Sequence, residues 1–262
     1  MIFDQVYSHS SDFYYALTSA QRTYDMQIHS YFEVVVCSYG SVELSIKNQQ
    51  ITIKEGEGVF IAPYTLRSYT ITEGSLAYIF IFSPSFIPDF AKRLENQEYT
   101  NYVFTMKKTI LNSIFTLAKG NTLSNDGSII MPKPDEFTLK AFLYSIISSF
   151  TEDNTLVDKK TESIIIKEIL QYIEQNFTLD ISLQSLSQAI DYDYEYLSRV
   201  FNKIFGQNFS SLVNQYRCNK AQQLIATTNQ TLAQIATNSG FQSVRTFNRV
   251  FKSIVGKSPS KI

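Results

Sequence analysis

The chain has 262 residues, of which 44% are hydrophobic and 18% are charged, and its formal net charge is −1. This composition is typical of a folded protein with room for two domains, and it excludes an intrinsically disordered chain. The longest apolar runs, such as residues 76–82, are too short to span a bilayer, and the first residues lack the pattern of a signal peptide. We therefore expect a cytoplasmic protein that does not bind a membrane.

The charge is divided unevenly along the chain. Residues 163–262 hold ten Lys and Arg against six Asp and Glu, a balance of +4, whereas residues 1–162 hold 13 basic against 18 acidic residues, a balance of −5. The C-terminal part is therefore the candidate for contact with nucleic acid, although specific contacts would have to supply much of the affinity. Cys37 and Cys218 are the only cysteines, and the absence of a CxxC pair excludes a cysteine-based zinc site.

Residues 28–82 carry the pattern of short strands. Residues 32–38 form a β-branched run, residues 42–47 alternate apolar and polar side chains, and Gly56 and Pro63 mark turns. About six such strands at regular spacing predict an antiparallel β-barrel of the jelly-roll type.

A helix with an apolar stripe is predicted after the strands. Its apolar residues recur at helical spacing and include Leu139, Leu143, Ile146 and Phe150. The stripe either packs against the barrel of its own chain or pairs with a second subunit, because its spacing is also close to that of a coiled-coil seam. The charged segment that follows has no periodicity. We therefore predict a barrel domain over residues 1–152, a linker over 153–162 and a second domain over 163–262.

Two copies of one pattern occupy the C-terminal part. Each copy, Leu183–Gly206 and Leu232–Gly256, has a short apolar helix, a tight turn and a second helix that ends before a glycine. This is the helix-turn-helix plan, whose second helix lies in the DNA major groove. Two such units in one polypeptide predict an all-helical domain that contacts two successive grooves.

Helical periodicity separates a buried and an outward face in the second helix of each copy. The residues predicted to be buried are Leu197, Val200, Phe201 and Ile204 in the first copy and Phe247, Val250, Phe251 and Ile254 in the second. The outward faces carry side chains suited to base edges. Arg can bond both acceptors of a guanine, Asn can bond both groups of an adenine edge, and Val244 can touch a thymine methyl group.

Fixed spacings connect many residues of the two copies. In the first copy these residues are Leu186, Ser187, Tyr196–Arg199, Phe201, Gly206, Arg217 and Ala221. In the second they are Ile235, Ala236, Gly240, Phe241, Phe247, Arg249, Phe251, Lys252, Gly256 and Pro259. Together they resemble the DNA-binding domain of the AraC family of bacterial transcription regulators. Asp191 stands where a turn glycine is common in that family, and Asp tolerates a left-handed backbone better than most residues.

The resemblance implies which side chains meet DNA. Those expected to approach bases are Glu195, Ser198, Arg199, Val244, Arg245, Asn248 and Arg249. Those expected to contact phosphates are Lys203, Lys252, Lys220 and Lys257. Arg199 and Arg249 have an alternative role as ion-pair partners inside their own subdomain. Glu195 can accept from a cytosine amine but repels phosphate, so it can tune specificity instead of adding affinity.

The segment His29–Glu33, followed by strands and by Pro63, resembles the cupin-like effector domain of the same family. This resemblance implies a barrel that holds a small molecule. Together with the helices that follow it, the barrel is expected to form a dimer with a second copy of the chain. By position the resemblance gives His29, Tyr31, Glu33 and Arg67 as effector-binding residues. Arg67 favours a polar or anionic effector, and the alternative is a solvated or ion-paired arginine on the barrel rim.

A metal-dependent cupin enzyme is the rival hypothesis. Such an enzyme needs about three histidines and a carboxylate around one ion, but the chain has only two histidines, His9 and His29. Neither a G-x-S-x-G motif nor a glycine-rich phosphate loop occurs. We therefore expect no metal, no cofactor and no enzymatic activity.

These observations predict an α+β one-component transcription regulator, an activator by family habit, that binds double-stranded promoter DNA and contacts RNA polymerase. Its other expected partners are a small-molecule effector and a second copy of itself. An alternative regulator responds to a protein partner or to no signal. An ordered polar pocket in the barrel would favour the effector, whereas a barrel filled by its own aromatic side chains would favour the alternative.

Overall fold

A computed structural model describes residues 2–3, 13–18, 22–47, 49–110, 112, 122–123, 129–130 and 135–261. The chain divides into two compact units. The N-terminal unit is Ser10–Lys159, and the C-terminal unit is Lys160–Ile262 together with the start of the chain, Met1–His9. Within the described ranges, no helix is long and apolar enough to cross a membrane.

The N-terminal unit is built mainly from short antiparallel strands. Strand β1 (Ile2–Phe3) belongs to the C-terminal unit. The longer strands of the N-terminal unit are β2 (Phe13–Thr18), β3 (Arg22–Ile28), β4 (Phe32–Tyr39), β5 (Ser41–Ile46), β6 (Gln49–Lys54), β7 (Glu57–Ile61), β8 (Arg67–Ile71) and β9 (Leu76–Phe82). Shorter strands follow, namely β10 (Gln97–Tyr99), β11 (Val103–Thr105), β12 (Thr122–Leu123), β13 (Ile129–Ile130) and β14 (Leu156–Asp158). The helices of this unit that are described over their full length include α1 (Pro88–Arg93) and α2 (Glu136–Glu152).

Two sheets contain most of these strands. One has the order β11-β7-β4-β9-β2-β13-β12, and the other contains β3, β8, β5 and β6 as successive neighbours. The described strands therefore form separate sheets that do not close into one ring. Side chains from the two sheets meet in the interior, where Glu33 of β4 pairs with Arg67 of β8. The predicted antiparallel jelly-roll architecture is confirmed in this open form.

Strand β4 lies at the centre of its sheet and is buried on both faces. It pairs with β7 and β9, and Val35 lies opposite Val59 on one side and Ile79 on the other. Because side chains alternate along a strand, Phe32 and Val34 point to one face and Glu33 and Val35 to the other. The face of Phe32 and Val34 joins the apolar cluster that also contains helix α2, and the face of Glu33 lines the space between the sheets.

Helix α2 packs against the sheet of its own chain. Asp135 caps its N-terminus by accepting hydrogen bonds from the backbone N–H groups of Phe137 and Thr138, at 3.1 and 3.0 Å. The buried residues of its apolar stripe lie in one cluster with the aromatic residues of β4, β7 and β9; they are Leu139, Phe142, Leu143, Ile146, Ile147 and Phe150. Of the two interpretations of this stripe, packing against its own barrel is the one that the structure shows.

The predicted linker contains ordered structure. Strand β14 lies inside residues 153–162 and pairs with β10, so that Val157 lies opposite Glu98. The domain boundaries given above remain a prediction, and the compact units place the division near the C-terminal end of the linker segment.

Apart from strand β1, the described elements of the C-terminal unit are helical. Its helices are α3 (Thr161–Asn176), α4 (Leu183–Ala189), α5 (Tyr194–Phe205), α6 (Phe209–Thr227), α7 (Leu232–Asn238) and α8 (Val244–Val255). The pairs α4–α5 and α7–α8 have equal helix lengths, 7 and 12 residues. A β-rich N-terminal unit and a helical C-terminal unit with two helix-turn-helix motifs confirm the predicted α+β fold class.

Candidate DNA interface and effector site

The two helix-turn-helix units begin with the same capping arrangement. Ser182 and Ser185 form a capping box at the start of α4, and Thr231 and Gln234 form one at the start of α7. In a capping box the side chains of the first and fourth residues satisfy backbone N–H groups that the helix leaves unpaired. Each unit therefore has a well-defined first helix.

The second helix of each unit is fixed at both ends. Asp193 accepts from the backbone N–H of Tyr196 at 2.9 Å to start α5, and Ser243 accepts from that of Thr246 at 3.2 Å to start α8. Both helices end at a glycine with a left-handed backbone, Gly206 and Gly256. These caps confine α5 and α8 to the same length, 12 residues.

The turn between the helices needs a left-handed residue in each unit. Asp191 has φ +55° in the first turn, and Gly240 has φ +87° in the second. The expectation that Asp191 adopts the conformation of a turn glycine is confirmed. Both turns therefore place a left-handed residue two positions after the first helix, although the second turn is one residue longer.

The buried faces of α5 and α8 are mostly as predicted. The buried residues are Leu197, Phe201 and Phe205 in α5 and Phe247, Val250 and Phe251 in α8. The prediction was wrong for Val200 and Ile204, which are half-buried, and for Ile254, which is 41% exposed. Ile254 lies in the last turn of α8, where the next residue, Val255, packs against the core of the unit instead. Phe205 was missed, although its spacing of four residues from Phe201 was a signal, and the two rings pack with centroids 4.6 Å apart.

The outward faces leave most of the predicted DNA-binding residues accessible. Those that are exposed are Glu195, Arg199, Lys203, Val244, Arg245, Asn248, Arg249 and Lys252, whereas Ser198 is half-buried. Lys203 forms an ion pair with Glu162 at 3.2 Å. Arg199 and Arg249 form no ion pair with any described residue. Their guanidinium groups are therefore available to a ligand.

Arg217 of α6 connects the two helix-turn-helix units. Its guanidinium donates to the backbone carbonyl oxygens of Phe177 at 2.7 Å and Leu179 at 2.8 Å, and it lies over the Phe241 ring, 5.9 Å from the centroid. Phe241 directly follows the turn of the second unit, and residues 177–179 directly precede the first. Arg217 thus connects the chain at the entrance of one unit to the turn of the other.

A cluster of charged and polar side chains lies between the sheets of the N-terminal unit. Arg67 donates to Glu33 through Nε at 2.7 Å and through Nη2 at 2.6 Å, and the Tyr69 hydroxyl donates to Glu33 at 2.8 Å. Nη2 of Arg67 also contacts Nε2 of His29, whose Nε2 lies 3.4 Å from Glu33. Arg67 is 1% exposed. It is therefore a buried, ion-paired residue and does not lie on a solvated rim.

The structure thus brings three of the four predicted effector-binding side chains together, His29, Glu33 and Arg67. Tyr31 is only half-buried, and its backbone carbonyl lies 3.1 Å from Nδ1 of His29. Sequence analysis missed Tyr69, whose position in an alternating strand next to Arg67 was the available signal. Nη1 of Arg67 is buried and has no hydrogen-bond partner among the described residues.

The ion pair sets the protonation of this cluster. Burial by itself raises the pKa of the Glu33 carboxyl, but the Arg67 charge and hydrogen bonds from His29 and Tyr69 outweigh it, so the pKa falls from 4.5 to about 2. Burial and the Glu33 charge together raise the pKa of Tyr69 well above 10.0. Glu33 is therefore a carboxylate and Tyr69 a neutral donor over the physiological pH range.

The described residues contain no group of three or more His, Cys, Asp and Glu that could hold a metal ion. The buried faces also show how the interior between the sheets is filled. The aromatic residues Phe32, Phe60 and Phe80 belong to the cluster with α2. Among the described residues, the interior carries the polar cluster of Glu33 and Arg67, where the Tyr69 ring packs on that of Tyr24 with centroids 4.4 Å apart.

Comparison with known families matches both units. The model of the AraC-like ligand binding domain matches residues 11–128, and the model of a helix-turn-helix domain matches residues 186–262. The HTH-type transcriptional activator AarP of Providencia stuartii is 37% identical over 99 residues, which are 38% of this chain and 73% of AarP. The chain belongs to the AraC family of transcription regulators.

Other members of the AraC family and solved structures agree with the two-unit organisation. The probable transcriptional regulator LumQ of Photobacterium leiognathi is 24% identical over 233 residues, which cover 89% of each chain. An apo form of ToxT from Vibrio cholerae has a TM-score of 0.60 at 16% identity and covers 96% of this chain and 97% of its own. An unsaturated fatty acid-bound ToxT has a TM-score of 0.56 at 18% identity, with 95% and 94% covered. At these identities the two structures show a shared fold.

Proposed function

We propose that this AraC-family regulator activates transcription by placing α5 and α8 in successive major grooves of promoter DNA. The observation that carries the proposal is the repetition of one arrangement: two helix-turn-helix units with equal helix lengths, each of which leaves polar side chains exposed on its second helix. Helices that enter successive major grooves on one side of B-DNA lie about 34 Å apart. The operator is then expected to contain two blocks about one helical turn apart.

The outward residues divide into two roles in this proposal. Base edges are contacted by Glu195, Ser198 and Arg199 of α5 and by Val244, Arg245, Asn248 and Arg249 of α8. Phosphates are contacted by Lys203 and Lys252, together with Lys220 and Lys257. The exposure of Arg245 and Lys252, and their lack of a partner among described residues, support these roles.

The N-terminal unit would bind a small molecule through the buried cluster. Because Glu33 already neutralises Arg67, the free donor at Nη1 suits a polar acceptor such as a hydroxyl, carbonyl or carboxylate oxygen. His29 and Tyr31 would complete the site from the segment that enters β4. The fatty acid bound by the structurally similar ToxT belongs to that protein and supports only the existence of a ligand site in this fold.

The remaining partners follow from the same proposal. An activator bound at a promoter acts in the bacterial cytoplasm, at the nucleoid, by contact with RNA polymerase. A homodimer is proposed through a surface other than the apolar stripe of α2, since that stripe is buried in its own chain.

Selection of genomic fragments with the purified chain, followed by titration over a range of salt concentrations, tests the DNA-binding proposal. We expect a recovered motif of two blocks about one helical turn, or 10 to 10.5 base pairs, apart. A variant in which Arg245 and Arg249 are both Ala is the matched control, because neither side chain is buried. Sequence-indifferent binding by the unaltered chain would contradict the proposal.

A further inference from the structure

The two recognition helices carry opposite charges at one corresponding position. Tyr194 is the first residue of α5 and Val244 is the first residue of α8. Glu195 and Arg245 therefore hold the same second position in helices of equal length. Both side chains are exposed, and neither has an ion-pair partner among the described residues.

The difference in charge extends over the whole of each helix-turn-helix unit. Residues 183–206 contain two basic side chains, Arg199 and Lys203, against three acidic ones, Asp191, Asp193 and Glu195, for a balance of −1. Residues 232–256 contain the basic side chains of Arg245, Arg249 and Lys252 and no acidic one, for a balance of +3. The second unit therefore has the stronger attraction for a polyanion.

Hydrogen bonds and ion pairs enlarge this difference. Lys203 of α5 is paired with Glu162, which leaves Arg199 as the unpaired cation of that helix among described residues. The N-cap of α5 is the carboxylate of Asp193, whereas the N-cap of α8 is the neutral hydroxyl of Ser243. The N-terminal residues of a recognition helix approach the base edges, so the carboxylates of the first unit lie at the end that meets DNA.

We infer that the second unit supplies most of the electrostatic affinity for DNA and that the first unit mainly selects sequence, with the Glu195 carboxylate accepting from the exocyclic amine of a cytosine. A carboxylate near the duplex lowers the affinity for every sequence, but it recovers part of that loss where a cytosine amine can donate to it. This inference rests on the proposed function, in which both helices enter grooves. The two blocks of the operator are then expected to differ in how strongly their base sequence is selected.

Glu195 could alternatively serve only the helix. A carboxylate in the first turn interacts favourably with the positive end of the helix dipole and stabilises the fold. In that case Glu195→Gln would lower the melting temperature and leave base preference unchanged. The two roles are therefore separated by measuring both quantities on the same variant.

Glu195→Gln in the full chain is the central test, with binding measured on the selected operator and on a scrambled duplex across a fourfold salt range. We expect binding to the scrambled duplex to tighten, and to tighten more at low salt than at high salt, because salt screens the repulsion between the Glu195 carboxylate and the phosphates. We also expect the preference for cytosine at one position of the first block to disappear. The inference is overturned if Glu195→Gln weakens operator binding without relaxing any position.

Lys252→Ala and Lys203→Ala form a matched pair, since both remove an exposed lysine from the C-terminal half of a recognition helix. Lys252→Ala should reduce the slope of log affinity against log salt by about 0.9, the value for one lost phosphate contact. Lys203→Ala should reduce it by clearly less. Equal reductions of the slope by the two variants would overturn the inference, while a recovered motif would still support the proposed function. Failure to recover any motif would instead overturn the proposed function.

Discussion

A Cβ atom added to Gly240 would lie 2.6 Å from the Cα atom of Thr178. The turn of the second helix-turn-helix unit therefore packs directly on the backbone that precedes the first. Thr178 Cα cannot move as a flexible side chain can, so the contact tolerates only a glycine. The left-handed backbone of Gly240, with φ +87°, adds a second requirement at the same position.

These two requirements can be separated by comparison with Gly256. Gly256 has a similar φ of +82°, but a Cβ atom there would have no neighbour within 4 Å. Gly256→Ala should cost about 1–2 kcal/mol of stability from backbone strain alone. Gly240→Ala should cost about 1–3 kcal/mol more because of the overlap with Thr178. Thermal unfolding of the full chain measures both, and equal losses would show that the contact adjusts freely.

Arg217 provides a second connection at the same joint. Arg217→Ala removes two charge-assisted hydrogen bonds to the carbonyl oxygens of Phe177 and Leu179, and we expect a loss of about 1–3 kcal/mol in this partly exposed setting. Arg217→Lys keeps the charge but lacks the planar fork that reaches both oxygens. It should therefore recover only part of the loss, as measured by calorimetry. Full recovery by lysine would mean that the charge, and not the two-pronged geometry, matters.

The C-terminal unit was more predictable from sequence than the buried cluster of the N-terminal unit. The caps Asp193 and Ser243, the left-handed Asp191 and most of the buried faces follow from local rules of spacing and capping. The exposure of Ile254 does not, because it depends on which elements cover the last turn of α8. Helical periodicity shows which residues share a face, and it does not show how much of that face the neighbouring elements bury.

The buried cluster depends on contacts that are distant in sequence. Glu33 and Arg67 are 34 residues apart and come from different sheets, so only the packing of those sheets brings them together. Sequence alone placed an arginine near the barrel but left open whether it is solvated, ion-paired or in contact with a ligand. Tyr69 could be found only after the register of β8 against its neighbours was known.

Replacement of Glu33 should be strongly destabilising at neutral pH. Glu33→Gln leaves the Arg67 guanidinium buried without a counter-charge, and losing one partner of a buried ion pair costs about 3–5 kcal/mol. Replacing both residues, as Glu33→Leu with Arg67→Met, should restore most of this loss, because no buried charge remains. Urea unfolding of the single and double variants checks the prediction. A double variant as unstable as the single one would assign the loss to packing.

The same ion pair predicts how the stability depends on pH. The folded-state pKa of Glu33, about 2, lies below the ordinary value of 4.5, so the unfolded state takes up the proton first as the pH falls. The stabilisation is therefore complete above pH 4.5 and is lost progressively as the pH falls toward 2. The difference in melting temperature between the unaltered chain and Glu33→Gln should shrink over this interval. A constant difference would show that Glu33 is not the titrating group.

Arg245→Ala should lower specific DNA binding by a larger factor than it lowers non-specific binding. Arg245 is exposed in the first turn of α8, where a guanidinium can donate to both acceptors of a guanine edge, and loss of such a contact costs about 1–3 kcal/mol. Lys252→Ala, at the other end of the same helix, should weaken binding to specific and scrambled duplexes alike. Fluorescence anisotropy at one salt concentration measures the affinity of each variant, relative to the unaltered chain, for the specific duplex and for the scrambled duplex. If Arg245→Ala lowers both affinities by the same factor, Arg245 contacts a phosphate, and base recognition by α8 depends on Asn248 and Arg249.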